Sequence, residues 1–157
     1  FKNHIIIMTS NMGAQIIQER FENMDMARRD LIVEATKAEV LVLLKETIRP
    51  EFLNRIDEII MFTPLNAGEI RQIVKIQLDA LAKMLLTKDI HIDFSEEVIE
   101  ALARKGYDPQ FGARPVKRVI QKEVLNELSK EILSGRITSE SHILLDAFDD
   151  KIVFRNK

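Results

Sequence analysis

Three cations crowd the start of the last long apolar-periodic segment: Arg114, Lys117 and Arg118 follow Gly112 and flank Pro115. A helix beginning there already presents partial positive charge, so each such cation opposes the macrodipole by about 0.3–1 kcal/mol. An anion docked at the helix start would reverse that penalty. A solvated basic face, or pairing with nearby acids, is the other reading. Arg55 is a second candidate, in a tight segment after Pro50 and flanked by Phe52, Leu53 and Ile56, which would anchor the backbone. A guanidinium held rigidly there suits stabilisation of charge on a transferring phosphate, within a subunit or across an interface. A structural pair with Glu51, Asp57 or Glu58 also explains it, and Arg49, beside Pro50, is a weaker version of the same idea. The third candidate is Thr9-Ser10-Asn11, which ends the apolar run His4–Met8. Ligands of open α/β sheets sit beyond the carboxyl ends of strands, but the same three residue types also cap helices.

Other chemistries lack their residues. His4, His91 and His142 lie far apart in the sequence on strand-like segments, without metal-ligand spacing, and read as packing residues with no metal site. The absence of cysteine excludes thiol catalysis and a disulfide scaffold, and no Gly-x-Ser-x-Gly occurs. A phosphate-cradling loop needs clustered glycines. The five glycines are dispersed, the nearest pair being Gly106 and Gly112, and no Gly-Lys-Ser/Thr is present. Asp57-Glu58 and Glu96-Glu97 read as solvated or capping acids. The net charge of −2 comprises 8 basic against 10 acidic residues before Pro64 and 15 against 15 from there on. Neither half carries the electrostatic footprint of a nucleic-acid binder. Runs such as Ile5–Met8 and Val40–Leu44 are far too short to span a bilayer.

The elements that must position these residues follow from periodicity. With 46% hydrophobic residues in 157, the chain can bury a core of one domain or two small ones. His4–Met8 and Ile59–Phe62 predict strands, the first covered on both faces. Because the chain opens almost at once on such a strand, it reads as part of something larger. Helices are expected over Ala14–Phe21 and Asp25–Thr47, the latter facing the core through Leu31, Ala35, Ala38 and Val42. Pro64 and Gly68 punctuate the passage to a second unit. There, Ile70, Ile73, Val74, Leu78, Leu81 and Leu85 line one face of a helix, and Ile90, Ile92 and Phe94 alternate as in a strand. Ser95 caps a helix that stops at Lys105-Gly106. A long helix from Pro115 to Leu133 turns Val116, Val119, Ile120, Val124, Leu128 and Ile132 inward and stops at Gly135. Ile143–Leu145 and Ile152–Phe154 pair as a hairpin across Asp149-Asp150.

Taken in order, the strand ending in Thr9-Ser10-Asn11, then Arg49–Glu58 as RPEFLNRIDE, then Gly112-Ala113-Arg114-Pro115, resemble the Clp/heat-shock class of AAA+ ATPases. The likeness is to the C-terminal half of their second nucleotide-binding module and covers essentially the whole chain. It implies an α/β (AAA+) fold: a partial large domain over residues 1–63, then a mainly helical small domain with a short β-sheet over 64–157. By the same resemblance Asn11 matches the first sensor, Arg55 the arginine finger reaching a neighbouring subunit, and Arg114 the second sensor. Ile73 falls where the family packs an apolar side chain near adenine. The phosphate-loop lysine, the Mg²⁺-organising acidic motif and the pore loop of that module have no counterpart here, so the chain by itself is not expected to hydrolyse ATP. Protease-feeding members carry an apolar-Gly-apolar tripeptide between first sensor and arginine finger. No glycine occurs between Gly13 and Gly68, which favours the ClpB-type disaggregase branch. The resemblance then implies a cytoplasmic homo-hexamer that uses ATP and Mg²⁺, threads unfolded or aggregated polypeptides, and works with a DnaK-type chaperone system. A protease-feeding unfoldase and a nucleotide-free oligomerisation module are the alternatives.

Overall fold

The computed structural model describes residues 3–22, 24, 26–108, 111–149 and 151–156. The chain divides into two compact units, Phe1–Pro64 and Leu65–Lys157. Asp25, where the sequence starts its second helix, and Asp150, in the expected hairpin turn, lie outside the described residues.

The first unit is built on α1 (Ala14–Glu22) and α2 (Arg29–Thr47), the latter entered through a 3₁₀ turn, Met26–Arg28, and followed by the short α3 (Pro50–Leu53). α1 packs on α2, and Arg20 pairs with Glu39 across them at 2.9 Å. Gly13 sets the approach: it has φ +78°, and a Cβ there would stand 2.9 Å from a Val40 methyl. The buried residues of α2 are Thr36 and Val40. Leu31, Ala35, Ala38 and Val42, expected to face the core, are instead exposed. Both sets recur at helical spacing, so periodicity alone cannot say which apolar stripe meets α1; the close approach of Gly13 to Val40 decides it. The strands expected at His4–Met8 and Ile59–Phe62 are not formed. No ladder runs along either segment among the described residues, and Ile5, Ile6, Ile7 and Phe62 are exposed. An apolar β-branched run supplies strand propensity, but a strand also needs a neighbour to accept and donate its backbone hydrogen bonds.

The second unit opens on α4 (Ala67–Leu86). Asn66 caps it reciprocally with Glu69: the Glu69 N–H donates to Asn66 Oδ1 (2.9 Å) and the Asn66 N–H to Glu69 Oε2 (2.7 Å). Ile70, Val74, Leu78, Leu81 and Leu85 form its buried face, as the spacing requires. β1 (His91–Phe94) leads into α5 (Glu96–Gly106), capped by Ser95, whose Oγ accepts from the Val98 N–H at 3.2 Å. α6 (Arg114–Ile120), a π-helical turn (Gln121–Leu125) and α7 (Asn126–Leu133) make up the long helix. β2 (His142–Phe148) then pairs parallel with β1 and antiparallel with β3 (Lys151–Asn156), giving sheet order β1-β2-β3. The hairpin register sets Leu145 opposite Phe154, within the two runs read as paired from sequence.

One expectation in this unit changes, and one glycine takes a further role. Val116, Ile120, Val124 and Leu128 are buried, whereas Ile132 is 36% exposed. A strict four-residue stripe drifts by about 40° per step on a regular α-helix. The π turn, with its i→i+5 bonding, rotates less per residue and holds the stripe inward through Leu128. Beyond it the drift carries Ile132 to the margin. Gly106, read as a helix stop, is the last residue of α5 and is not in the left-handed region. It also serves close packing: a Cβ there would lie 2.8 Å from Val116 Cγ2 and 2.9 Å from Val116 Cα.

Surface charge ties the elements of this unit together. Glu96 receives Lys75 at 3.0 Å and Arg71 at 2.9 Å, and Arg71 also holds Glu100 at 2.7 Å, linking α4 to α5. The hydrogen bond from Lys75, then that from Arg71, holds the Glu96 carboxyl below its usual range. Asp146 on β2 accepts from Ser95 Oγ (2.7 Å) and the Ala147 N–H (2.8 Å) and pairs with Arg155 (3.1 Å). The Ser95 bond is the foremost cause of its lowered pKa. A carboxyl depressed on folding stabilises the native state above its unfolded pKa and loses that contribution as pH falls through the folded value. Asp146→Asn should therefore lower the urea midpoint at neutral pH, and the difference from wild type should shrink only once pH falls below the ordinary aspartate value of about 4. An undiminished difference in acid would show that the charge on Asp146 is irrelevant.

Candidate functional site

The candidate residues are divided between the two units. In the first, the polar triplet forms a turn into α1: Ser10 Oγ accepts from the Met12 N–H at 3.0 Å, and the Asn11 carbonyl accepts from the Ala14 N–H at 3.1 Å. The capping reading thus accounts for Ser10 and for the backbone of Asn11. It leaves the Asn11 side chain exposed and with no hydrogen-bond partner among the described residues.

Arg55 sits on a turn stacked behind α3. Its N–H donates to the Phe52 carbonyl at 3.0 Å, and the next N–H, of Ile56, donates to Leu53 at 3.1 Å. Pro50 starts α3 at a position where its missing N–H and fixed φ fit a first helical turn. Leu53 and Ile56 are half-buried and hold the segment, while Phe52, expected to anchor it as well, is 46% exposed. The guanidinium of Arg55 is exposed and makes no ion pair with Glu51, Asp57, Glu58 or any other described residue. The structural-pair reading is not realised here. Arg49 is likewise exposed without an ion pair among the described residues.

In the second unit, Arg114 opens α6 behind a closed turn. The Asp108 and Gly112 backbones bond reciprocally at 3.0 and 2.6 Å, and Asp108 Oδ1 accepts from the Phe111 N–H at 2.9 Å. Gly112 takes φ +61°, a conformation that glycine adopts without a Cβ penalty. Arg114, Lys117 and Arg118 are all exposed, and none forms an ion pair among the described residues. Of the readings open from sequence, pairing with nearby acids falls away; a solvated basic face and an anion site remain. Ile73 is half-buried on α4 and packs against the core of its unit. Asn11 and Arg55 thus lie in the first unit, Ile73 and Arg114 in the second. One association escaped the sequence entirely: His91 and His142, 51 positions apart, stack with ring centroids 4.4 Å apart. Only parallel pairing of β1 with β2 brings them together. No group of three or more histidine, aspartate or glutamate side chains suited to a metal occurs among the described residues. No helix among them is long and apolar enough to cross a membrane.

Two family models match the chain. Residues 1–59 match the model of an AAA domain (Cdc48 subfamily), which gives the class. Residues 65–145 match the C-terminal, D2-small domain, of ClpB protein. The chain belongs to the ClpB family. It is 54% identical over its whole length to the chaperone protein ClpB of Porphyromonas gingivalis and 49% identical over 99% of its length to that of Bacteroides thetaiotaomicron. It spans 18% of the length of each of these relatives. Among solved structures it is similar to the Saccharomyces cerevisiae Hsp104:casein complex in its extended conformation. That match has a TM-score of 0.74 and 34% identity, and covers 97% of this chain and 25% of the other.

Proposed function

We propose that the chain is the sensor half of an AAA+ large domain, residues 1–63, followed by the small domain, 64–157, of an ATP-driven hexameric protein-disaggregating chaperone. Asn11 acts as first sensor, Arg55 as the arginine finger in a neighbouring subunit's site, and Arg114 as second sensor in its own. Ile73 contributes an apolar contact near adenine. The observation that carries this reading is the state of the two arginines: each sits on a segment fixed by backbone hydrogen bonds, exposed, with no acidic partner among the described residues. A guanidinium without an internal counter-ion is available to a triphosphate, which it can bind bidentately. The unpartnered amide of Asn11 fits a role toward the γ-phosphate or the attacking water. When bound, ATP supplies the phosphoryl group whose developing charge these side chains stabilise, with Mg²⁺ held by residues other than these four.

Clients are unfolded or aggregated polypeptides threaded through the ring in the cytoplasm, with a DnaK-type system as partner. Support for the disaggregase branch comes from the ClpB and Hsp104 relatives. It comes also from the helices α1 and α2, which occupy the stretch where a peptidase-docking glycine loop would lie. The 157-residue chain, purified alone, should show no ATP turnover above a buffer control in a phosphate-release assay. Sustained turnover would overturn this division of labour, because the chain holds no phosphate-loop lysine.

A further inference from the structure

We propose that His91 and His142 form a two-imidazole site for a late first-row divalent ion, with Zn²⁺ as the probe ion. The inference is independent of the nucleotide-site reading. The two residues are directly paired in the parallel β1–β2 register, and their rings lie almost parallel, 12° apart in plane and 4.4 Å between centroids. Both are exposed, on the face of the sheet opposite the buried Ile92 and Ile143. Solvent therefore reaches both rings, and the core does not restrict their rotation.

Two nitrogen ligands of a tetrahedral zinc ion, each at 2.0–2.1 Å, stand about 3.4 Å apart. Rings 4.4 Å apart approach that separation by rotation of exposed side chains, with no movement of the strands. The backbone is already fixed. The His91 N–H donates to the Ser141 carbonyl at 2.9 Å, and the Glu140 N–H donates to the Asp89 carbonyl at 2.7 Å. Asp89 and Glu140, each two residues before a histidine, both take left-handed conformations, φ 56° and 69°. The two segments thus turn into their strands side by side and arrive in register. Stacking of two imidazole rings alone is a modest contact at the surface. Imidazole nitrogen prefers zinc, copper or nickel over magnesium or calcium. Asp93 lies on the same outward face two residues beyond His91, and Asp89 and Glu140 precede the pair. With no third ligand converging among the described residues, water completes the shell.

The experiment is calorimetric titration of the 157-residue chain with zinc chloride at neutral pH, alongside magnesium chloride. One saturable zinc site and no magnesium binding is the expected result. His91→Ala and His142→Ala should each weaken zinc binding by about tenfold or more, since a single imidazole remains. His4→Ala removes the chain's other histidine and should leave the titration unchanged. Thermal melts serve as a second readout: zinc should raise the melting temperature of wild type, because the paired geometry exists only when folded, and not that of either single variant. Melts with a chelator confirm that the variants fold. Absence of a saturable site, binding that survives His91→Ala or His142→Ala, or equal loss in His4→Ala would each overturn the proposal.

Discussion

Arg55→Ala in a full-length ring should lower ATP turnover by about 10³–10⁵-fold, the range over which an arginine finger acts in phosphoryl transfer. Nucleotide affinity should be largely unchanged. The split follows from where the residue sits. Arg55 is held on a turn by hydrogen bonds from its own N–H and that of Ile56, and its guanidinium has no acidic partner among the described residues. Truncation therefore breaks no internal ion pair and should leave the melting temperature of the 157-residue chain within experimental scatter. In the proposed role it removes a charge delivered to a neighbouring site during the chemical step, so kcat should fall while ground-state binding should not. Arg114→Ala is the contrasting case. If it serves its own subunit's nucleotide, as proposed, its loss should weaken nucleotide binding, measured by fluorescent-nucleotide titration. Mixing Arg55→Ala subunits with subunits disabled for nucleotide binding distinguishes action across an interface from action within a subunit. Unchanged hydrolysis in the Arg55→Ala ring would remove the finger assignment, and unchanged affinity in Arg114→Ala would remove the second-sensor assignment.

Gly106→Ala should destabilise the chain by about 1–3 kcal/mol, the usual penalty for forcing atoms into a packed site. A methyl group at this position meets Val116 Cγ2 at 2.8 Å and, more seriously, Val116 Cα at 2.9 Å. A side-chain terminus can rotate away; a backbone atom moves only with its helix. Val116 is 1% exposed and enclosed by the core, so α6 must separate from α5 or tilt. Alanine's higher helix propensity, worth up to about 1 kcal/mol, opposes this and reduces the net effect. Urea unfolding of the two proteins measures it. Val116→Ala in the Gly106→Ala background should restore only part of the loss, because the new methyl still meets the α6 backbone, and a double-mutant cycle reads the coupling. Wild-type stability in Gly106→Ala would mean the helices do not approach this closely. The displacement also bears on the proposed site: Arg114 is two residues from Val116, so the same substitution in a full-length ring should move Arg114 and, if it is the second sensor, weaken nucleotide binding.

Much of the second unit was legible from local signals. The five-residue apolar stripe of α4, the Ser95 cap, the left-handed Gly135 after α7 and the alternation of the terminal hairpin each depend on residues close in sequence. The candidate arginines were legible for the same reason, since a proline-fixed turn and a cation-loaded helix start are local features. Their freedom from internal partners was not. Arg55 has three acids within four positions, and sequence distance gives no way to tell a neighbour that pairs from one that points elsewhere. In the first unit, α2 carries apolar residues on more than one face, so its period was correct while its inward side was not. The runs at His4–Met8 and Ile59–Phe62 had the composition of strands, yet strand formation depends on a ladder partner that their own residues cannot provide.

The same contrast divides the glycines and the histidines. Gly13 and Gly112 announce turns by residue type, because glycine takes φ +78° or +61° more readily than residues with a side chain. Gly106 looks the same in the sequence and acts by admitting Val116, ten residues away on another helix. The two strand histidines read singly as packing residues, yet both are exposed, and a parallel crossover through α5, α6 and α7 makes them neighbours. Caps, periods and turns are fixed by interactions within a few residues, and these are written directly in the chain. Close helix approach, the choice between two apolar faces, and the meeting of His91 with His142 arise from partners distant in sequence, and they come into being only when the core closes.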